Sequence, residues 1–164
     1  KLLEQDNATV HRIMAINYGG LVNIAQAALP AMVRRGAGDF ISFSSMAGII
    51  PILMTGAYNA SKFAVSAFTE VLHHENRASG VRFACVCPPP VATPLLAQGY
   101  ATVMPKTIES MPPIEPRDVL DAIESALAKG DFWVFPGKGT RTGYLMRRFF
   151  PNLIWKDVHK KEGF

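Results

Sequence analysis

The stretch Phe40-Ile-Ser-Phe-Ser44 has the apolar and aromatic character of a strand buried inside a sheet. Glycine and proline interrupt the residues that follow, so residues 44–56 are predicted to form a loop. A helix is predicted from Ala57 to Ala78. A second buried strand, Val-Arg-Phe-Ala-Cys-Val-Cys, occupies residues 81–87 and ends at three consecutive prolines. This order predicts two parallel strands joined by a helix.

The same alternation continues on both sides of this unit. Apolar residues at three- and four-residue spacing predict a long helix over residues 7–35. Residues 91–115 are predicted to be irregular, and a further helix and a short strand are predicted over 116–130 and 132–135. The fold class is therefore α/β, a doubly wound parallel sheet. Because such a sheet normally has about six strands, we expect only the second half of the domain here.

Composition limits the class of protein. The 164 residues are 49% hydrophobic and 18% charged, which argues against intrinsic disorder. No apolar run is long enough for a transmembrane helix, and two cysteines do not form a disulfide framework. The chain opens Lys-Leu-Leu-Glu-Gln-Asp, without an initiator Met or a signal-peptide pattern. We therefore expect a cytoplasmic protein and an internal piece of a longer chain.

Residues 138–164 carry the net positive charge of the chain, with seven Lys or Arg against two acidic residues. The rest of the chain is nearly neutral, so a nucleic-acid-binding domain is not predicted. Large apolar residues alternate with these basic ones, which indicates either peripheral contact with a membrane or a C-terminal helix packed on the body or on a second subunit. Pro151 argues against one continuous helix.

The pair Tyr58 and Lys62 indicates acid/base chemistry. Residues four apart share one face of a helix, and a nearby ammonium lowers the pKa of a phenol, which is ordinarily near 10. The alternative is an exposed Tyr packed against a Lys stem. Ser45 lies at the end of the first strand, where parallel sheets bind ligands. Asn17 is a polar residue on an apolar helix, and its alternative role is a structural hydrogen bond.

Four sequence phrases together resemble the short-chain dehydrogenase/reductases. They are Ile16-Asn17-Tyr18-Gly19-Gly20, Phe43-Ser44-Ser45-Met46-Ala47-Gly48, Tyr58-Asn59-Ala60-Ser61-Lys62-Phe63-Ala64 and Cys87-Pro88-Pro89-Pro90-Val91-Ala92-Thr93-Pro94. The resemblance implies a Rossmann-like domain, of which residues 1–137 are the C-terminal catalytic half and residues 138–164 a basic tail. It also implies NAD(P)-dependent interconversion of an alcohol and a carbonyl by hydride transfer.

The resemblance implies a role for each matching residue. Tyr58 would be the general acid or base, and Lys62 would lower its pKa and hydrogen-bond the nicotinamide ribose. Ser45 would orient the substrate oxygen, and Asn17 would hold a water that relays protons. Cofactor contacts would come from Tyr58, Lys62, Pro88, Pro89, Val91 and Thr93. No metal site is predicted.

The sequence also departs from the family. Pro89 stands where the family normally has Gly, so cofactor contact at that turn is in question. The first-half motif Gly-x-x-x-Gly-x-Gly is absent, as are the residues that select NAD or NADP. The alternative reading is a truncated, non-catalytic protein that acts through its basic tail on partners or membranes.

The remaining expectations concern the substrate, the subunits and the other reactive side chains. Apolar loop residues predict an apolar substrate, with core packing as the alternative: Met54, Leu95, Leu96, Met104 and Met111. The family implies a homodimer or homotetramer through the long helices. Cys85 and Cys87 are predicted to be buried thiols, and all four histidines are predicted to lie at the surface.

Overall fold

The computed structural model describes residues 2–101 and 104–163. Its sheet has three parallel strands in the order β1-β2-β3, with β1 over Gly38–Phe43, β2 over Val81–Val86 and β3 over Trp133–Val134. In the register of β1 and β2, Phe40 lies opposite Phe83 and Phe43 opposite Val86. The predicted α/β class and parallel sheet are confirmed.

Helices connect and follow these strands. The first segment comprises α1 (Asn7–Met14), a π-helical turn (Ala15–Gly19) and α2 (Gly20–Arg35), and the left-handed Gly36 ends it. The others are α3 (Gly56–Glu75), α4 (Pro94–Tyr100), α5 (Lys106–Glu109), α6 (Pro116–Lys129), α7 (Thr140–Phe149) and α8 (Pro151–Glu162). Short 3-10 turns cover Leu2–Glu4 and Met46–Gly48.

The two faces of the sheet bury separate apolar clusters because side chains alternate along a strand. On one face, Ala84 and Val86 pack with Val119 and Ile123 of α6. On the other face, Phe83 joins a cluster that includes Phe40 of β1 and Ala25 and Leu29 of α2, with Phe68 of α3 packed against it. Helices therefore cover both faces of the sheet, as the doubly wound prediction requires.

The structure corrects several predicted elements. Residues 91–115 contain the short helices α4 and α5 instead of being irregular throughout. The single predicted helix over 7–35 contains a π-helical turn, and β3 is shorter than the predicted strand 132–135. Pro151 is the first residue of α8, where its missing N–H is tolerated, so the tail forms two helices. In the described ranges, no helix is both long and apolar enough to cross a membrane.

Candidate active site

The carboxyl ends of β1 and β2 meet at one edge of the sheet. The amide of Ser44 donates to the carbonyl of Val86 at 2.8 Å, and the amide of Met46 donates to the carbonyl of Pro88 at 3.0 Å. These two bonds hold the residues after β1 against the residues after β2. Ser45 and the segment that begins at Pro88 are therefore neighbours, as expected for the ligand-binding edge of a parallel sheet.

Ser45 is positioned by the turn that follows it. Its backbone is extended, and its Oγ accepts a hydrogen bond from the amide of Ala47 at 3.0 Å, which caps the 3-10 turn Met46–Gly48. The Ser45 hydroxyl also lies close enough to the Tyr58 hydroxyl to favour a lower pKa of Tyr58. Two hydroxyl groups thus converge at the end of β1, and both can hydrogen-bond the same oxygen atom of a substrate.

Tyr58 and Lys62 lie in the first two turns of α3, next to this hydroxyl pair. The Lys62 Nζ is 5.8 Å from the centre of the Tyr58 ring, and it donates to the Phe43 carbonyl at 2.9 Å. The last residue of β1 therefore holds the ammonium near the phenol. Tyr58 itself stays 36% exposed, so a substrate can reach it.

Burial is the main cause of the pKa shifts of both Tyr58 and Lys62. It raises the pKa of Tyr58 above its ordinary value of 10.0, against the smaller opposing effect of the nearby Ser45 hydroxyl. It lowers the pKa of Lys62 below its ordinary value of 10.5. In the chain as it stands, the phenol is therefore protonated at neutral pH. The lowering of the Tyr58 pKa by Lys62 stays a prediction.

Asn17 lies in the π-helical turn and contacts α3. Its Nδ2 donates to the Ser61 Oγ at 3.0 Å, and the Ser61 hydroxyl donates to the Tyr58 carbonyl at 2.8 Å. π-Helical turns often occur at functional sites. The structural hydrogen bond considered for Asn17 is thus present, and a water held by its remaining groups stays a prediction.

The predicted cofactor-binding segment follows β2 at the same edge. Val91 forms a parallel bridge with Ile114, and Thr93 caps α4. The Thr93 hydroxyl donates to the Val91 carbonyl at 3.2 Å and accepts from the Leu96 amide at 3.4 Å. Both bonds are local and long, so a stronger partner could replace them. Pro89 has no N–H to offer there.

Two further residues hold the site together, and the sequence analysis did not single them out. The buried Ser44 hydroxyl donates to the Lys62 carbonyl at 3.0 Å and lies 2.7 Å from the Ser66 Oγ. Gly48 lies so close to α3 that a Cβ there would collide with the Ser44 Oγ and lie 2.7 Å from the Lys62 carbonyl oxygen. The only sequence feature that could have pointed to them is their small size, since each is a small residue in the loop between β1 and α3.

Three other predicted residues can now be placed. Cys85 and Cys87 are buried free thiols, as predicted, and the neighbouring Cys85 thiol together with burial raises the pKa of Cys87. The surface prediction is wrong for His73. Its ring stacks on Phe132 with centres 4.7 Å apart, and its buried Nδ1 has no hydrogen-bond partner among residues 2–101 and 104–163.

Comparison with known proteins identifies the family. A family model described as "short chain dehydrogenase" matches residues 1–103. The curated "Dehydrogenase/reductase SDR family protein 7-like" of Drosophila melanogaster is 29% identical over 157 residues, covering 92% of this chain and 48% of that protein. The chain spans about half the length of the curated relatives it matches.

Solved structures share the fold. A short chain dehydrogenase from Burkholderia cenocepacia J2315 in complex with NADP superposes with a TM-score of 0.79 at 23% identity, covering 94% of this chain and 60% of that one. A short-chain dehydrogenase from Sphingobium yanoikuyae in complex with NADPH gives a TM-score of 0.74 at 19% identity, with coverages of 94% and 59%. The chain belongs to the short chain dehydrogenase family.

Proposed function

We propose that the protein is the catalytic half of an NAD(P)-dependent oxidoreductase that interconverts an alcohol and a carbonyl. The observation that carries this proposal is the pair of neighbouring Ser45 and Tyr58 hydroxyls at the end of β1, with the Lys62 ammonium 5.8 Å from the centre of the phenol ring. A proton donor and a second hydroxyl that converge on one point suit an oxygen that gains negative charge during the reaction.

Each side chain has a specific role in this proposal. Ser45 donates a hydrogen bond to the substrate oxygen and orients it. Tyr58 transfers its proton to that oxygen in reduction and removes a proton from it in oxidation. Lys62 stabilises the phenolate that remains, because a nearby positive charge favours the ionised form. Asn17 holds the start of α3 through Ser61, and it binds a water that relays protons.

The donor set at the edge of the sheet fits a nicotinamide cofactor. An ammonium carries three N–H donors, and the Phe43 carbonyl accepts one from Lys62, so others can reach a ribose hydroxyl. The Val91 backbone and the Thr93 hydroxyl offer hydrogen bonds to a carboxamide. When bound, the cofactor supplies or accepts the hydride. The NADP and NADPH held by the two similar structures support this assignment.

An apolar substrate suits the surroundings of the site. Leu96 and Tyr100 line an open groove beside Thr93 that is mostly apolar. Leu95 and Met54 are exposed at 74% and 39%. The environment therefore offers few polar partners to a substrate beyond its reacting oxygen.

We also propose a homodimer or homotetramer through the long helices. Val71 of α3 is 53% exposed and Phe63 is 39% exposed, although both are apolar. Ile24 of α2 is 61% exposed. Apolar side chains exposed along two long helices favour burial against a second subunit.

The decisive test is the activity of a Tyr58→Phe variant of the whole protein, assayed with NADH or NADPH and a panel of apolar ketones. Loss of the hydroxyl should lower kcat by roughly 100- to 10,000-fold, the usual contribution of a general acid. NADPH binding should persist. The matched control is Tyr144→Phe, whose ring stacks on Phe135 at 5.2 Å and needs no hydroxyl for that contact.

Full turnover by Tyr58→Phe would refute the proposed mechanism. Absence of turnover by the unmodified whole protein, with NADPH binding also absent, would instead favour the truncated, non-catalytic alternative. In that alternative, the protein acts through residues 138–164.

A further inference from the structure

The junction of α7 and α8 exposes large apolar side chains. Phe149 is 64% exposed, and Phe150 and Leu153 are each 56% exposed. Leu145, one turn before Phe149 on α7, is 43% exposed. Exposed aromatic residues next to one another are unusual for a surface that meets only water.

Basic residues flank this apolar patch along both helices. Arg141 lies one turn before Leu145 on α7, Arg148 lies within the patch, and Lys156 lies one turn after Leu153 on α8; all three are exposed. We call these three cations and the four apolar residues Leu145, Phe149, Phe150 and Leu153 the C-terminal stripe. Along the chain, a basic residue stands at each end of the stripe and a third, Arg148, lies between its apolar residues.

Other residues of α7 pack against the rest of the fold. The Tyr144 ring stacks on Phe135, and a Cβ at Gly143 would lie 3.6 Å from both Ile50 and Met46. Val158 of α8 is buried. The C-terminal stripe is therefore the outer face of a docked helical pair.

The acidic residues of the tail do not neutralise the stripe. Asp157 pairs with Lys161 at 2.8 Å within α8. The Glu162 carboxylate accepts hydrogen bonds from Thr107 of α5. Both carboxylates are engaged with neighbours inside the molecule, so the stripe presents apolar and positive groups outward.

We propose that the C-terminal stripe binds the surface of an anionic lipid bilayer. Aromatic and aliphatic side chains insert at the boundary between headgroups and acyl chains, and flanking Lys and Arg attract acidic headgroups. A second copy of the chain fits less well, because an antiparallel two-fold contact would place Arg141 against Lys156 of the other copy. This inference names the lipid partner of the tail and does not depend on the proposed oxidoreductase activity.

Co-sedimentation of the whole protein with vesicles tests the proposal. The protein should sediment with vesicles of phosphatidylcholine and phosphatidylserine, and much less with phosphatidylcholine alone, and added salt should weaken the binding. A Phe149→Ser/Phe150→Ser variant should bind at least roughly tenfold more weakly. The matched control is Leu120→Ser, an apolar residue exposed at 51% on α6, which should bind as the unmodified protein does.

A second variant guards against loss of folding. Arg148→Glu changes only an exposed charge and should weaken binding to the anionic vesicles by roughly tenfold. Circular dichroism should match the unmodified protein. The proposal would be overturned by equal binding to neutral and anionic vesicles, or by an equal loss of binding in Leu120→Ser. Concentration-dependent self-association without vesicles that the Phe149→Ser/Phe150→Ser variant abolishes would also overturn it. The vesicle assay contains no cofactor and no substrate, so it is independent of turnover. Vesicle binding by a protein that shows no turnover would therefore contradict only the proposed function.

Discussion

Gly48 shows how one small residue controls the distance between two parts of the site. It lies in the turn that Ser45 caps, and the backbone of Lys62 passes directly beside it. The Ser44 hydroxyl fills the remaining space and donates to the Lys62 carbonyl. Any side chain at position 48 must therefore push the β1–α3 loop away from α3, and with it Ser45 away from Tyr58.

Gly48→Ala is expected to lower the free energy of unfolding by about 1–3 kcal/mol, the usual cost of overpacking a rigid site. The measurement is urea-induced unfolding followed by circular dichroism. The matched control is Gly20→Ala, where a Cβ meets no atom within 4 Å, and there alanine should be neutral or stabilising because it favours a helix. An unchanged midpoint for Gly48→Ala would show that the loop can relax.

At the scale of elements, α8 is tied to the short helix α5. The Glu162 carboxylate accepts hydrogen bonds from the Thr107 amide at 2.7 Å, the Thr107 hydroxyl at 2.6 Å and the Lys106 amide at 3.2 Å. These are the free amides at the start of α5, so Glu162 caps that helix from a distant part of the chain. The end of the tail thereby holds the segment that follows β2.

This contact should depend on pH. Burial alone would raise the pKa of Glu162, but the hydrogen bonds from Thr107 and Lys106 outweigh it and lower the pKa below its ordinary 4.5. The stabilising effect is therefore complete above pH 4.5 and is lost as the pH falls through the lowered value. The protection of the Thr107 amide against hydrogen exchange, measured relative to the intrinsic exchange rate at each pH, should fall over that interval.

Glu162→Gln is expected to speed exchange at Thr107 by roughly fivefold to tenfold at neutral pH, because a hydrogen bond to a charged acceptor becomes one to a neutral acceptor. Exchange measured by NMR or mass spectrometry checks this. Asp157→Asn is the control on the same helix, since Asp157 pairs with Lys161 and not with α5. Equal protection of Thr107 in both variants would mean that the charge of Glu162 contributes nothing.

At the scale of the whole molecule, the edge of the sheet formed by β1 is open. Among the described residues, β1 pairs only with β2, and an apolar groove lies between β1 and α2, lined in part by Ile16, Leu21 and Phe43. Ile16 is 67% exposed. The curated relatives matched here are about twice as long as this chain, and the sequence carries no glycine-rich phosphate-binding turn.

A polypeptide limited to these 164 residues is expected to bind NADPH at least roughly tenfold more weakly than a longer protein with a complete dinucleotide fold, because phosphate contacts at a glycine-rich turn are missing. Titration of NADPH fluorescence measures both. Bovine serum albumin serves as a control for non-specific binding. Tight, saturable binding by the short polypeptide would show that the edge of β1 and β2 suffices for the cofactor.

Local spacing was enough to predict most elements and the reactive pair. The apolar composition of residues 81–87 predicts the buried strand β2, and the four-residue spacing places Tyr58 and Lys62 on one face of α3. These features depend on neighbours within a turn or a strand, so they can be predicted without knowledge of the fold. The boundaries were less accurate: the second predicted helix was extended to Ala78, whereas α3 ends at Glu75.

Contacts between distant segments could not be predicted in this way. Asn17 lies in a π-helical turn and contacts Ser61 of α3 across 44 positions of sequence. His73 lost its predicted exposure because Phe132, from the segment before β3, covers its ring. The sequence by itself determined the α/β class, the family and the Tyr58–Lys62 pair, because each follows from local pattern. The tertiary structure alone decided the raised pKa of Tyr58, the capping of α5 by Glu162 and the outward C-terminal stripe, since burial and long-range packing exist only in the folded chain.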